Sequence, residues 1–216
     1  SVDMAVVDMA QLIRMEKNDE NLPYGVVISG VLKRGDSRYV MIRKRHAKDL
    51  IENAVVATDS YSKTERIKHM YDGISCVVET DIRKCIEKLD ASECDAVFVL
   101  LEDIKAARLH NSFLYRYTIM DYGECVPVHG EGVYAMLTKG KKEAVRTARE
   151  LSHKSTAECF EIEDDIISRV MQNVYVKTCD VYARISSDRL EIYADVTGNS
   201  CLLYTSPSPR DGLLSR

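Results

Sequence analysis

The feature that most constrains the fold is an unbroken apolar stretch at residues 95–101, Asp-Ala-Val-Phe-Val-Leu-Leu. A strand with apolar side chains on both faces is typical of a parallel sheet that is covered on both sides. Strand and helix patterns alternate around it: a short strand at 74–78, a helix at 81–89, the apolar strand, and a helix at 102–110. This β-α-β-α order predicts an α/β layer with some parallel pairing.

Two predicted β-hairpins flank this centre. Each consists of two β-rich runs around a polar turn, at 25–33 with 38–44 and at 174–185 with 189–196. The sequence therefore predicts an α/β or α+β fold, a mixed sheet with an N-terminal β-hairpin, an alternating βαβα centre and a C-terminal β-hairpin. We expect a single mixed domain over residues 1–200, with the hairpin at 22–46 as a candidate small lobe.

Periodic patterns predict the remaining elements. Apolar residues at helical spacing predict a helix at the N-terminus, and they are Val2, Ala5, Val6, Met9, Leu12 and Ile13. Ser62, followed three residues later by Glu65, predicts a capping box for a helix at 62–70. Further predicted elements are strands at 112–122, 133–137 and 159–162, a helix at 139–154, and a helix that begins at Asp164 or Asp165 and ends at Met171.

The C-terminal residues do not read as part of a fold. Residues 201–211, Cys-Leu-Leu-Tyr-Thr-Ser-Pro-Ser-Pro-Arg-Asp, resemble the translated read-through of a sequencing adapter. We therefore expect residues 201–216 to be a non-native tail, whose apolar side chains are no evidence for a core. Since the chain also begins at Ser1 without a methionine, we expect it to be a piece of a longer protein.

Composition argues against several function classes. The 216 residues are 45% hydrophobic and 30% charged, which is typical of a globular chain rather than a disordered one. No apolar run approaches the ~18 residues of a membrane-spanning helix, so no membrane partner is expected. A formal net charge of −4 gives no reason to expect nucleic acid. The cysteines before residue 201 contain no C-x-x-C pair, so we expect free thiols in a cytoplasmic protein.

The densest cluster of reactive side chains is the loop at residues 121–132. Glycines allow a backbone to approach a ligand closely, and the candidate ligand-binding glycines are Gly123, Gly130 and Gly132. The candidate catalytic residues are Cys125, His129 and Glu131, with the carboxyl group as acid or base. Cys125 and His129 have the donor types of a soft metal site, but their spacing is not diagnostic and no metal is predicted. An ordinary loop between two strands would have a similar composition.

Three charged stretches are weaker candidates. Lys139, Lys141 and Lys142 flank the start of the predicted helix at 139–154, where a phosphate could bind, although the Walker pattern is absent. The basic stretch at 33–48 favours either an anionic partner or a protected sheet edge. The acidic cluster at 158–165 favours either a hard cation or helix capping.

Three function classes stay open. The leading hypothesis is an intracellular ligand-binding or regulatory domain that recognises a small anionic or phosphorylated molecule beside the loop at 121–132. One alternative is a metal-assisted hydrolase that uses the three candidate catalytic residues. The other is an interaction or assembly subunit that docks or oligomerises through the hairpin edge at 26–44. The motifs G-x-S-x-G and G-x-G-x-x-G are absent, and the sequence names no cofactor.

Overall fold

The structure, a computed structural model, describes residues 2–47 and 52–198. The predicted non-native tail lies outside the described residues. Within them the strands are β1 (Met4–Asp8), β2 (Val26–Val31), β3 (Tyr39–Lys44), β4 (Val55–Thr58), β5 (Ser75–Val78), β6 (Ala96–Leu100), β7 (Tyr115–Ile119), β8 (Tyr134–Lys139), β9 (Val176–Ser186) and β10 (Arg189–Gly198). The helices are α1 (Met9–Lys17), α2 (Tyr61–Met70), α3 (Ile82–Asp90), α4 (Leu101–Ala106), α5 (Lys142–Leu151) and α6 (Lys154–Val170).

The larger sheet has five strands in the order β5-β4-β6-β3-β7. β4 is parallel to β5 and to β6, while β3 is antiparallel to β6 and to β7. Helices α2 and α3 connect the parallel strands, and α4 follows β6 directly. The mixed sheet and its alternating strands and helices confirm the predicted α/β class.

β6 separates the two apolar cores of this sheet. All five of its residues are buried. Val97 packs in one core with Leu89 of α3, and Phe98 packs in the other with Ile67 of α2. Because both faces of β6 are covered by helices, its sequence has no polar alternation, which is the reason for the apolar stretch at 95–101.

A smaller antiparallel sheet has the order β1-β8-β2. Its core joins Met9 and Leu12 of α1 to Ala135 of β8, with Phe160 of α6 packed against them. The chain passes between the two sheets twice, at residues 32–38 and 120–133, which we call the crossover segments. The two crossover segments lie side by side and are joined by a hydrogen bond, in which the Gly35 N–H donates to the Gly132 carbonyl oxygen at 3.0 Å.

The predicted pairing of the N-terminal hairpin is wrong. Both strands form, but β2 pairs with β8 in the smaller sheet, and β3 lies between β6 and β7 in the larger one. The predicted turn at 34–37 is part of a crossover segment. The hairpin at 22–46 therefore does not form as a unit, and β3 offers no free edge for docking. The number of domains and any oligomer stay predictions.

The first predicted helix is wrong over its first half. Residues Met4–Asp8 form β1, in which Met4 lies opposite Thr138 of the central strand β8. Val6 and Val7 are β-branched and suit a strand, so sheet pairing outweighs the helical spacing of the apolar residues. Asp8 then caps α1, since its Oδ1 accepts a hydrogen bond from the Gln11 N–H at 2.9 Å.

The region predicted as a strand at 159–162 and a separate following helix is one helix, α6. His153, rather than Asp164 or Asp165, is its N-cap residue. Cys159 and Glu163 are both buried, as expected for positions four residues apart on one helix face. The apolar residues at 159–162 therefore belong to a helix face rather than to a strand.

The fully buried Glu163 joins α6 to two distant segments. It accepts hydrogen bonds from Arg34 of a crossover segment, at 2.5 and 2.8 Å, and from the Ala183 N–H of β9 at 2.7 Å. β9 and β10 pair antiparallel from Arg189 opposite Ser186 onward, which confirms the predicted C-terminal hairpin. The Glu163 carboxylate thus fixes this hairpin against the smaller sheet.

Candidate functional site

A cavity of about 140 Å³ lies at the junction of the two larger sheets, beside both crossover segments. The starts of α1, α2 and α4 surround it, because β1, β4 and β6 each lead into a helix at this edge. We call this cavity the acidic cleft. Its charged lining residues are Asp8, Arg14, Asp59, Lys63, Glu102, Asp103 and Glu131.

Lys63 is the only buried cation of the acidic cleft among the described residues, with 3% of its side chain exposed. Its Nζ donates to both carboxylate oxygens of Asp59 at 2.8 Å and lies 3.8 Å from Glu131 Oε1. Burial by itself would lower the pKa of Lys63, but the neighbouring carboxylates outweigh it and the pKa is raised. The lysine is therefore a fixed positive charge at neutral pH.

Glu131 is the most perturbed carboxyl group of the acidic cleft. Burial raises its pKa to about 7, and the carboxylates of Asp59, Asp8 and Asp103 add to the increase. The Lys63 ammonium acts in the opposite direction. Burial likewise raises the pKa of Asp103. A carboxyl group that titrates near neutral pH can donate or accept a proton in a reaction.

Only one of the three candidate catalytic residues reaches the acidic cleft. The side chain of Glu131 lines it, whereas the His129 ring stacks on Phe160 of α6 with ring centroids 4.8 Å apart. Burial lowers the pKa of His129, so its imidazole is neutral at pH 7. Cys125 lies in the apolar core beside Tyr39, where burial raises its pKa to about 12. A protonated buried thiol is a poor nucleophile.

The structure does not support the metal-assisted hydrolase as an alternative function, because its three proposed residues lie in different environments and do not share one site. Within residues 2–47 and 52–198, no cluster of three or more His, Cys, Asp or Glu side chains has the geometry to hold a metal ion. A catalytic role for Cys125 or His129 stays a prediction without a shared site.

The candidate glycines differ in their surroundings. Gly123 is exposed and outside the acidic cleft. Gly130 has φ +85°, and a Cβ there would lie 2.9 Å from the Ala10 backbone nitrogen, so the bare backbone lets α1 approach. Gly132 has φ +72° and lines the cleft, where a Cβ would clash with Ser37 Oγ. Gly132 therefore shapes the cleft directly, and Gly130 allows α1, whose Ala10 and Arg14 line the cleft, to pack against the loop.

The lysines at 139, 141 and 142 lie at the opposite end of β8 from the loop. A six-residue strand is about 20 Å long, so the loop and the lysines do not form one site. Lys141 Nζ pairs with Asp3 at 2.5 Å. Phosphate binding by Lys139, Lys141 and Lys142 stays a separate prediction.

Basic residues from the stretch at 33–48 have structural partners where the structure describes them. Arg34 binds Glu163, Arg38 pairs with Asp36 at 2.8 Å, and Lys44 donates to the Asp90 carbonyl oxygen at 3.0 Å. These contacts favour a structural role over recognition of an anionic partner.

Sequence reasoning missed Asp59 and Lys63, together with Asp8 and Asp103 of the same cleft. The predicted start of α2 at Ser62 was wrong: the helix begins at Tyr61 with Ser60 as N-cap residue, without a side-chain capping hydrogen bond. One signal was available, since ligands of α/β sheets bind beyond the carboxyl ends of parallel strands. Asp59 directly follows β4, and Asp103 follows β6 within three residues.

None of the described helices is long and apolar enough to cross a membrane. Residues 2–147 match the protein family described as "Porphobilinogen deaminase, dipyromethane cofactor binding domain". All the residues that line the acidic cleft fall within this matched segment.

Two curated relatives illustrate the similarity. The probable porphobilinogen deaminase of Picrophilus torridus is 23% identical over 176 residues, which cover 78% of this chain and 61% of that protein. The porphobilinogen deaminase of Chlorobium limicola is 26% identical over 178 residues, which cover 81% of this chain and 56% of that protein. The chain therefore spans 56 to 61% of the length of these relatives.

Among solved structures, the VFT2 domain of Bordetella pertussis BvgS is 15% identical, with a TM-score of 0.44 over 74% of this chain and 67% of that chain. A score of this size marks a remote likeness, and nothing about this chain follows from it.

Proposed function

Because this chain belongs to the porphobilinogen deaminase family, we propose that its acidic cleft binds porphobilinogen and that the chain serves in the deamination of this compound. One observation carries the proposal: the family match spans the entire lining of the cleft, from Asp8 to Tyr134. The match includes Glu131, whose carboxyl group titrates near neutral pH. The proposed ligand is therefore a small pyrrole that carries both an amine and carboxylates.

The chemistry of the cleft suits loss of ammonia. Porphobilinogen is a pyrrole with an aminomethyl group and two carboxylate arms. When the C–N bond of its protonated aminomethyl group breaks, ammonia leaves with the bonding electron pair, and the positive charge stays on the pyrrole-methylene unit. Fixed negative charges beside a developing cation lower the barrier. The carboxylates of Asp59, Asp103 and ionised Glu131 would act in this way.

The residues of the acidic cleft do not fit the dipyrromethane cofactor that the family description names. A dipyrromethane built from two porphobilinogen units has two rings and four carboxylate arms. A cavity of ~150 Å³ holds one benzene ring, so a cavity of about 140 Å³ has room for one pyrrole rather than two. Five carboxyl groups face only Lys63 and Arg14 in the cleft.

We also propose a cytoplasmic location. The cysteines of the described residues are all free thiols, a state that reducing compartments maintain. Since the chain spans little more than half of its curated relatives, the substrate and the reaction belong to this proposal.

The test is calorimetric titration of the full chain with porphobilinogen, together with an assay for released ammonia. We expect binding, and a loss of affinity of at least about tenfold in Glu131→Gln, since a charged hydrogen-bond partner is removed. Glu143→Gln is the matched control, because Glu143 is exposed on α5 and does not line the cleft. Absence of binding, or equal losses in both variants, would contradict the proposal.

A further inference from the structure

A second cavity, of about 270 Å³, lies between the crossover segment at 32–38, the start of α6 and strand β9. We call it the basic pocket, because Lys33, Arg34 and Arg184 line it and no described carboxyl group does. It shares only Gly35 with the lining of the acidic cleft. The family match at 2–147 ends before α6 and β9, which supply most of the basic pocket. Neither the match nor the proposed function therefore assigns a ligand to it.

The cations of the basic pocket differ in how far the protein already neutralises them. Arg34 binds the carboxylate of Glu163, and Arg184 Nε donates to Glu191 at 2.7 Å. Lys33 is exposed and forms no ion pair with a described residue. An unpaired lysine beside a cavity that lacks carboxyl groups attracts anions.

Arg34 has a hydrogen-bond donor for which the described residues supply no acceptor. Both terminal nitrogens of its guanidinium bind Glu163, and one of them also donates to the Ala183 carbonyl oxygen at 3.2 Å. Its Nε is buried and unpartnered, in a side chain that is only 9% exposed. Buried donors in native structures normally have an acceptor. Because Arg34 lines the basic pocket, an oxygen atom bound there against the guanidinium would supply it.

The first turn of α6 adds backbone donors to the same pocket. His153, the N-cap residue, accepts a hydrogen bond from the Thr156 N–H at 3.2 Å through Nδ1. The N–H groups of Lys154 and Ser155 have no acceptor within the helix. Ser155 and Thr156 both line the pocket. The N-terminus of a helix of 17 residues carries a partial positive charge, which favours an anion beside it.

The size and walls of the basic pocket indicate what kind of anion fits. A cavity of ~150 Å³ holds one benzene ring, so about 270 Å³ has room for a small ring and a charged group. Tyr182 and Ile185 provide apolar walls. The donors lie on three separate segments, the crossover segment, α6 and β9. A phosphate group has three strong acceptor oxygens and can reach all three segments, whereas a carboxylate has two.

We propose that the basic pocket binds a small organic phosphate. Lys33, Arg184 and the first turn of α6 hold the phosphate group, and the organic group packs against Tyr182 and Ile185. The ligand joins the crossover segment at 32–38, α6 and the C-terminal hairpin, so it stabilises the folded chain by mass action. This site lies outside the acidic cleft and does not depend on the proposed function.

The experiment is calorimetric titration of the full chain with three probes, at pH 8 and constant ionic strength. Phenyl phosphate carries both the ring and the phosphate group, inorganic phosphate lacks the ring, and benzoate replaces the phosphate by a carboxylate. We expect phenyl phosphate to bind at least about tenfold more tightly than either of the other two, because only phenyl phosphate satisfies both the donors and the apolar walls.

Substitutions locate the binding. Lys33→Gln is expected to weaken phenyl phosphate about tenfold, since a charged hydrogen-bond donor is removed. Lys177→Gln is the matched control, because Lys177 is exposed on β9 and does not line the basic pocket. Ser155→Asp is the second variant: its carboxylate suits a helix N-terminus and keeps the fold, but it repels the phosphate and should abolish binding. Thermal unfolding of each variant establishes that the fold is intact.

Binding of phenyl phosphate that Lys33→Gln weakens, Ser155→Asp abolishes and Lys177→Gln leaves unchanged supports the proposal. Absence of binding overturns it. Equal losses in Lys33→Gln and Lys177→Gln would show attraction to the overall charge rather than a site, and they overturn it as well. Equal affinities for phenyl phosphate and inorganic phosphate, or for phenyl phosphate and benzoate, overturn the assignment to an organic phosphate. None of these results bears on the binding of porphobilinogen in the acidic cleft.

Discussion

At the scale of single residues, Glu131 shows what a sequence can and cannot reveal about a site. Its position in a loop rich in glycine and reactive side chains made it a candidate, and the structure places it in the acidic cleft. His129 lies two residues away in the same loop, yet its ring packs against Phe160. The direction of a side chain in an irregular loop depends on tertiary contacts, so composition alone could not separate the two.

The raised pKa of Glu131 predicts a specific pH dependence of stability. The pKa is about 7 in the folded chain against 4.5 for an ordinary glutamate. Between these values the folded state holds a proton that the unfolded state has released, so stability falls as pH rises through this window. The contribution is about 3 kcal/mol at most, from 1.36 kcal/mol per pKa unit.

Denaturant unfolding of the wild type and of Glu131→Gln at pH 5 and pH 8 measures this contribution. Glutamine cannot ionise, so the variant should gain stability relative to the wild type between pH 5 and pH 8, by up to about 3 kcal/mol. Glu143→Gln provides the control for general effects of pH. A difference between Glu131→Gln and the wild type that stays constant over this range would show that Glu131 is not perturbed.

A second prediction at this scale concerns the buried pair of Arg34 and Glu163. Both side chains are at least nine-tenths buried, so Glu163→Gln leaves the arginine charge without its partner. Removing one member of a buried ion pair costs about 3–5 kcal/mol. We expect a loss of about 3 kcal/mol in the free energy of unfolding, measured with denaturant.

The neighbouring substitution Glu161→Gln is the control, because Glu161 is exposed on the same helix. Its effect should stay within about 0.5 kcal/mol. Equal effects of the two substitutions would mean that the Arg34–Glu163 pair does not anchor α6.

At the scale of elements, local patterns predicted strands that can be recognised without knowledge of a distant partner. β6 was recognised from its own apolar stretch, and the C-terminal hairpin of β9 and β10 from two strands that are neighbours in sequence. The wrong hairpin prediction involves long-range pairing: β2 pairs with β8, more than 100 residues away, rather than with β3. Adjacent β-rich runs are also consistent with strands in different sheets, so sequence proximity was misleading.

The approach of α1 to the loop at 121–132 predicts unequal effects for two glycine substitutions. Gly130 and Gly140 both have positive φ, but only Gly130 is crowded, by the Ala10 backbone at 2.9 Å and Ile13 Cδ1 at 2.7 Å. Gly140→Ala should cost about 1 kcal/mol of backbone strain. Gly130→Ala should cost that amount plus about 1–3 kcal/mol of overpacking.

Thermal or denaturant unfolding of the two glycine variants measures this difference. Since both substitutions add the same methyl group at a positive φ, each variant controls for the other. Equal losses of stability in the two variants would mean that the close packing of α1 against Gly130 does not contribute to the stability of the fold.

At the scale of the whole molecule, the two crossover segments bring the larger and smaller sheets together around the acidic cleft. The residues that line the cleft come from β1 and α1, beside the smaller sheet, and from α2 and α4, beside the larger sheet. Its residues are therefore far apart in sequence, from Asp8 to Tyr134. No local motif contains them, which is why sequence reasoning found Glu131 but not Lys63 or Asp59.

The pKa of Glu131 with and without porphobilinogen tests the central claim most directly. Carbon-13 NMR of the glutamate carboxyl groups, assigned through Glu131→Gln, follows its titration in the full chain. We expect a pKa of about 7 in the free protein. With saturating porphobilinogen the pKa should fall, because a bound ammonium group stabilises the carboxylate. An unchanged titration of Glu131 in the presence of the ligand would contradict the account.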